Sequence, residues 1–148
     1  MDSKKLIAVL RKIGEKIIEQ KDFLTELDRP IGDNDHGINM ARGFEAVEGK
    51  LNDLQEKDIG TILKTAGMTL VSTVGGSSGP LYGTLFMKMG MALKERQEVD
   101  FQEFLSALAL GIEGVGGQAQ PLSVFCNSFS QCFFHEKHLL FISGSIMP

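Results

Sequence analysis

Long apolar runs are missing from this 148-residue chain. No stretch of about 18 uncharged apolar residues occurs, so a membrane span is not expected. A basic excess is missing too. Fifteen Lys and Arg stand against nineteen Asp and Glu, a formal net charge of −4. No basic stripe is left to displace counterions from phosphates, which argues against nucleic acid as a partner. Cysteine is scarce, with two residues in all. Met1-Asp2-Ser3-Lys4-Lys5 leads into a charged, periodic segment and not into the apolar core of a signal peptide. The expectation is a cytoplasmic chain with reduced thiols. Its length fits one domain with a buried core, and 43% hydrophobic with 23% charged residues is ordinary for a soluble globular protein.

Strand-like alternation is also absent up to about residue 115, and helical periodicity takes its place. Leu6, Leu10, Ile13, Ile17 and Leu24 predict a first helix, capped by Asp2 or Ser3. A second runs from about Ile38 to Leu51, with Phe44, Val47 and Leu51 on one face. A third starts near the N-cap Asp58 and carries Ile59, Ile62, Leu63, Ala66 and Leu70. Pro80 fits the first turn of a fourth, with Leu81, Leu85, Met89 and Leu93. Asp100-Phe101-Gln102-Glu103 resembles a capping box and opens a fifth, through Phe104, Leu105, Leu108 and Ile112. The fold class expected is all-α.

From Leu122 to Pro148 the composition changes in kind. Glu136 and Lys137 are the only formal charges, and Phe125, Phe129, Phe133, Phe134 and Phe141 make up half of all Phe. The division expected is a helical domain over 1–121 and a distinct tail over 122–148. Cys126, Cys132, His135 and His138 fall within thirteen residues, but their spacing does not match common structural zinc sites. The Met87, Met89 and Met91 cluster reads as core filler.

Two segments carry chemistry. Asp28, Asp33 and Asp35 lie within eight residues, separated by turn formers. Three carboxylates this close repel one another unless water or a cation intervenes, and oxygen ligands suit Mg²⁺ or Ca²⁺. An EF-hand is rejected, because the twelfth position from Asp33 is Phe44 where a bidentate Glu is needed. The competing reading is a solvated loop whose Asp residues cap the next helix. The second segment is Gly75-Gly76-Ser77-Ser78-Gly79-Pro80, where glycines, hydroxyls and a helix start form a phosphate cradle or, more plainly, an interhelical link. It is not a Walker A loop, since no Gly-Lys-Ser/Thr follows. Together the two segments are the halves of a Mg²⁺–nucleotide phosphate site, which needs mainly positioning and charge neutralisation. No residue is assigned a catalytic role beyond that positioning; His36 reads as a binding group and not as a general base.

The run from Asp28 through Asp33-Asn34-Asp35-His36-Gly37-Ile38-Asn39-Met40-Ala41-Arg42-Gly43-Phe44 resembles the signature of the L subunit, the nucleotide-binding subunit, of bacterial dihydroxyacetone kinase. Gly67-Met68-Thr69-Leu70 followed by Gly75 to Thr84 resembles its second signature. The similarity covers about residues 1–121 and implies a barrel of eight antiparallel helices, about five of them recognisable here. It implies ADP or ATP and two Mg²⁺ at one end, with Asp28, Asp33 and Asp35 as metal ligands. His36, Gly37, Ile38, Asn39, Gly76, Ser77, Ser78 and Gly117 then correspond to cofactor contacts.

In the phosphotransferase-dependent type, ADP stays bound as a coenzyme. A phosphocarrier M subunit recharges it, and the phosphoryl group passes to dihydroxyacetone on the K subunit. The resemblance therefore implies those two subunits as partners; a transcription regulator and a second copy of the chain are further candidates. The alternatives are an inactive remnant or binding module, and a nucleotide domain like that of fatty acid kinase, which typically has Thr at the position of His36. Gly116-Gly117-Gln118-Ala119-Gln120-Pro121 looks like the family's Gly-Lys-Ala-Gln-Pro segment, but the family's Gly-Asp-Lys-Thr-Met does not follow. The expectation is a truncation or frameshift near residues 116 to 122, with Gly-Asp-Lys-Thr-Met recoverable in another reading frame. It leaves catalysis by this chain doubtful.

Overall fold

In the computed structural model, Asp2 closes the first helix as its N-cap: its carboxylate accepts from the Lys5 amide at 2.8 Å. The structure describes residues 1–30 and 32–116. The proposed tail over 122–148, with its Cys and His cluster, and Gly117 lie outside them. Six α-helices follow in order among the described residues: α1 (Ser3–Glu19), α2 (Lys21–Asp28), α3 (His36–Leu51), α4 (Ile59–Thr73), α5 (Ser78–Ala92) and α6 (Phe101–Gly116). A 3₁₀ turn, Asn52–Leu54, extends α3. No strand occurs among these residues, so the all-α reading holds.

The first expected helix is in fact two. The chain leaves helical geometry at Gln20 (φ −91°, ψ 13°) and α2 restarts at once. The apolar period continues across the break, with Leu6 and Leu10 buried on α1 and Leu24 on α2, which is why periodicity alone misses it. The other starts follow local chemistry. The Asp58 carboxylate accepts from the Thr61 amide at 3.0 Å. Asp100 and Glu103 form a reciprocal capping box, with the Glu103 amide donating to Asp100 Oδ1 at 2.8 Å and the Asp100 amide to Glu103 Oε2 at 3.0 Å. Pro80 sits in the first turn of α5, where no amide is needed.

The core is built around α4, which packs against α1, α3 and α5. Ile59, Ile62, Leu63, Ala66 and Leu70 of α4 are all buried, as are Phe44, Val47 and Leu51 of α3. Helices α4 and α5 approach backbone to backbone at two glycine pairs. A Cβ on Gly60 would stand 2.6 Å from the Gly90 carbonyl oxygen, and one on Gly67 would stand 2.7 Å from that of Gly83. Helix α6 packs on α5 by a different face than its large residues suggest. Ala107, Gly111 and Val115 are buried, while Leu105 is 39% exposed and Phe104, Leu108 and Ile112 are only half-buried. Close approach explains the choice: a Cβ on Gly111 would lie 2.8 Å from Leu85 Cδ1 and 3.0 Å from the Leu85 carbonyl oxygen.

Candidate nucleotide and metal site

The acidic loop spans the gap between α2 and α3. Asp28 ends α2, and its carbonyl accepts from the Gly32 amide at 2.7 Å. Its carboxylate turns back to accept from the Asp35 amide at 3.1 Å. These two bonds fold the loop over on itself. Gly32 permits it, because a Cβ there would sit 2.0 Å from Asp28 Oδ1. Asn34 takes a left-handed conformation (φ 64°), which Asn tolerates better than most residues.

The fold gathers the three carboxylates. One oxygen each from Asp28, Asp33 and Asp35 lies within 4.8 Å of the others. Octahedral Mg²⁺ with oxygens at about 2.1 Å places trans ligands about 4.2 Å apart, so small side-chain movements suffice to close on one ion. Asp35 is the N-cap of α3, yet its side chain makes no capping bond. The competing reading, that this aspartate is there to cap the helix, therefore loses its main support. The Asp33 carboxyl is held above its ordinary range, first by a hydrogen bond shared with the Asp35 side chain, then by the charges of Asp35 and Asp28. Like charges crowded at an exposed loop fit a hard cation well. Asp28, Asp33 and Asp35 are the residues that can hold it.

The glycine loop faces the same region. Ser78 Oγ lies 3.2 Å from His36 Nδ1, which joins the first turns of α3 and α5. Both helices start here, so their unpaired amides share one locality. Ser77, the N-cap of α5, makes no side-chain cap bond and is exposed. Gly76 has φ 64° and open space about its Cα. Asn39 is 7% exposed and lies against the loop: a Cβ on Gly75 would stand 3.1 to 3.2 Å from its amide group. Gly37 behaves differently, since its Cα packs on α2, where a Cβ would fall 1.9 Å from the Lys21 carbonyl oxygen. Ile38 is exposed on the outer side of the same turn.

Two residues escape a reading by residue type. Gly32 looks like ordinary turn chemistry, and only the folded loop shows that Asp28 needs its missing side chain. Arg42 donates through Nη2 to Asn39 Oδ1 at 2.7 Å and through Nε to the Thr73 carbonyl at 2.9 Å. Its position one turn after Asn39 is the only trace of this in the sequence.

Residues 30–122 match a family model described as the DAK2 domain. The chain belongs to the DAK2 domain family. Within this DAK2 match lie Asp33, Asp35, His36 and the whole glycine loop; Asp28 stands just before it and is brought in by the fold of the loop. The chain is 46% identical over 114 residues to the ADP-binding subunit of the PEP-dependent dihydroxyacetone kinase of Escherichia coli (strain K12), covering 76% of this chain and 54% of that one. It is 44% identical over 113 residues to the ADP-binding subunit of the PTS-dependent dihydroxyacetone kinase of Lactococcus lactis subsp. lactis (strain IL1403), covering 75% and 56%. The L-erythrulose 1-kinase of Mycolicibacterium smegmatis is 28% identical over 123 residues, which cover 80% of this chain and 22% of that protein. The chain spans about half the length of the first two relatives. Among the described residues no helix is long and apolar enough to cross a membrane.

Proposed function

We propose that this chain binds ADP or ATP with Mg²⁺ as the nucleotide-binding subunit of a phosphotransferase-dependent dihydroxyacetone kinase working in the cytoplasm. The observation that carries the reading is the junction of the two motifs: three gathered carboxylates on one side and the Ser77–Ser78 helix start on the other, linked through His36 and Ser78. Asp28, Asp33 and Asp35 hold the metal, which when bound neutralises charge on the phosphate oxygens. His36 orients Ser78. The Ser77 and Ser78 hydroxyls and the first amides of α5 receive phosphate oxygens, and Gly76 lets them come close without a side chain in the way. Asn39 supports the loop from below.

When bound, the nucleotide would supply the phosphoryl group that passes to dihydroxyacetone held on the K subunit. This chain contributes binding, orientation and charge balance to that step.

Titration calorimetry of the full chain with ADP, with and without Mg²⁺, tests the binding reading. We expect metal-dependent ADP binding, and an affinity loss of about tenfold or more in Asp33→Ala. ADP affinity indifferent both to chelator and to Asp33→Ala would sink it. Transfer itself is then read by adding the K and phosphocarrier subunits with dihydroxyacetone and following its phosphate ester.

A further inference from the structure

Arg42 touches none of the three aspartates or the two loop serines in any hydrogen bond, yet it ties α3, whose N-cap is Asp35, to the end of α4, from which the glycine loop departs. It rises from α3 one turn beyond Asn39. Its Nη2 donates to the Asn39 side-chain oxygen and its Nε to the main-chain oxygen of Thr73, the last residue of α4. Val74 and the glycine loop follow at once. The end of α4 is pinned in other ways too. The Thr73 hydroxyl donates to the Thr69 carbonyl at 2.7 Å, and the Ser72 hydroxyl donates to the same oxygen at 2.9 Å. Thr69 is itself almost wholly buried. The Thr73 carbonyl, in the last turn of a helix, has no amide four residues on to donate to it within that helix, and the guanidinium supplies the missing donor.

The second contact decides which way the Asn39 amide points. A carboxamide has one accepting oxygen and one donating nitrogen. A guanidinium only donates, so it selects the oxygen. The amide so fixed lies against Gly75, with its nitrogen, carbon and oxygen all 3.1 to 3.2 Å from where a Cβ there would be. A flip would set two donors against each other at Asn39, which is itself only 7% exposed.

We infer that Arg42 is a positioning residue of the nucleotide site: it fixes the orientation of the Asn39 amide beneath Gly75 and ties the end of α4, where the glycine loop begins, to α3. The inference rests on the nucleotide reading above. It also makes a separate statement about the loop, which stands or falls without any ligand. Arg42 is exposed and its loss leaves the apolar core intact, so the variants are expected to fold.

The experiment uses the full chain as wild type, Arg42→Met, Asn39→Ala, the double variant and Arg42→Lys. It measures Mg²⁺ affinity alone, MgADP affinity, and hydrogen exchange over residues 73–79. Arg42→Met is expected to weaken MgADP binding about tenfold while leaving Mg²⁺ affinity unchanged. Asn39→Ala should do much the same, and the double variant no worse than either, because the two act as one unit. Arg42→Lys reaches one acceptor and not both, so it recovers only part of the affinity. Exchange over 73–79 should accelerate in Arg42→Met without ligand. Wild-type MgADP affinity in Arg42→Met, or losses that multiply in the double variant, overturns the inference. If wild type itself fails to bind MgADP, the nucleotide reading fails, and the exchange arm decides the clamp: faster exchange upholds it and unchanged exchange overturns it.

Discussion

Asp58 shows how much one carboxylate can organise. It starts α4 by accepting from the Thr61 amide and, at 2.5 Å, from the Thr61 hydroxyl. It also accepts from the Glu95 amide at 3.1 Å, and so ties the start of α4 to the turn after α5. Partial burial pushes its pKa up, but these hydrogen bonds outweigh burial and hold the carboxyl below its ordinary value of 3.8. The sign follows from linkage. A carboxyl that is more acidic folded than unfolded contributes stability that is present above the unfolded value and is lost as pH falls through the folded one. Asp58→Ala is expected to cost about 1–2 kcal/mol at neutral pH. The gap to wild type should narrow as acid protonates the wild-type carboxyl, in urea titrations run at a series of pH values. A gap that stays constant down to the acid end would contradict this. Asp58 as a cap was legible, because capping needs only a short polar side chain three residues ahead of a free amide. Its bond to Glu95 was not, since 37 residues separate the partners. The gathering of Asp28, Asp33 and Asp35 was legible for the same reason as the cap, its members lying within one short loop. Arg42 was not, because its second acceptor, the Thr73 carbonyl, comes within reach only once α3 and α4 are packed.

At the level of helices the α4–α5 contact sets the rules. Gly60 and Gly67 lie seven residues apart, as do Gly83 and Gly90, and each pair member faces one on the other helix. A seven-residue repeat keeps a contact seam straight along two helices, which lets their backbones touch twice. In Gly67→Ala the new methyl meets the Gly83 carbonyl oxygen at 2.7 Å and the Met87 amide nitrogen at 2.9 Å. Backbone has to move, and overpacking of this kind costs about 1–3 kcal/mol, more than the gain of about 1 kcal/mol in helix propensity. Gly49→Ala on α3 is the control, for nothing stands within 4 Å of its added methyl. The expected outcome is a lower urea midpoint for Gly67→Ala and an unchanged or higher one for Gly49→Ala. Equal midpoints would remove the case for the seam. Helix existence was readable from apolar period and caps, whereas which glycines meet was not, because pairing depends on the partner helix. The break at Gln20 was hidden for the opposite reason: the apolar period runs through it unchanged.

Across the whole molecule, burial is uneven. Helix α4 is covered by α1, α3 and α5, whereas α6 packs mainly on α5. Phe101 is 70% exposed and Leu110 is 51% exposed, so much of the apolar surface of α6 gains little from the described fold. Local opening should be easiest there. Native-state hydrogen exchange of the full chain is expected to show α6 amides exchanging faster than those of α4. Matching protection along both helices would mean that α6 is stabilised by more than its contact with α5.

The twin glycine contacts also act like the notches of a ratchet. Side chains flank each notch, so α5 cannot slide along α4 by a residue without driving one into a carbonyl. The position of the Ser77–Ser78 turn along α4 is thereby set by the register of the two helices.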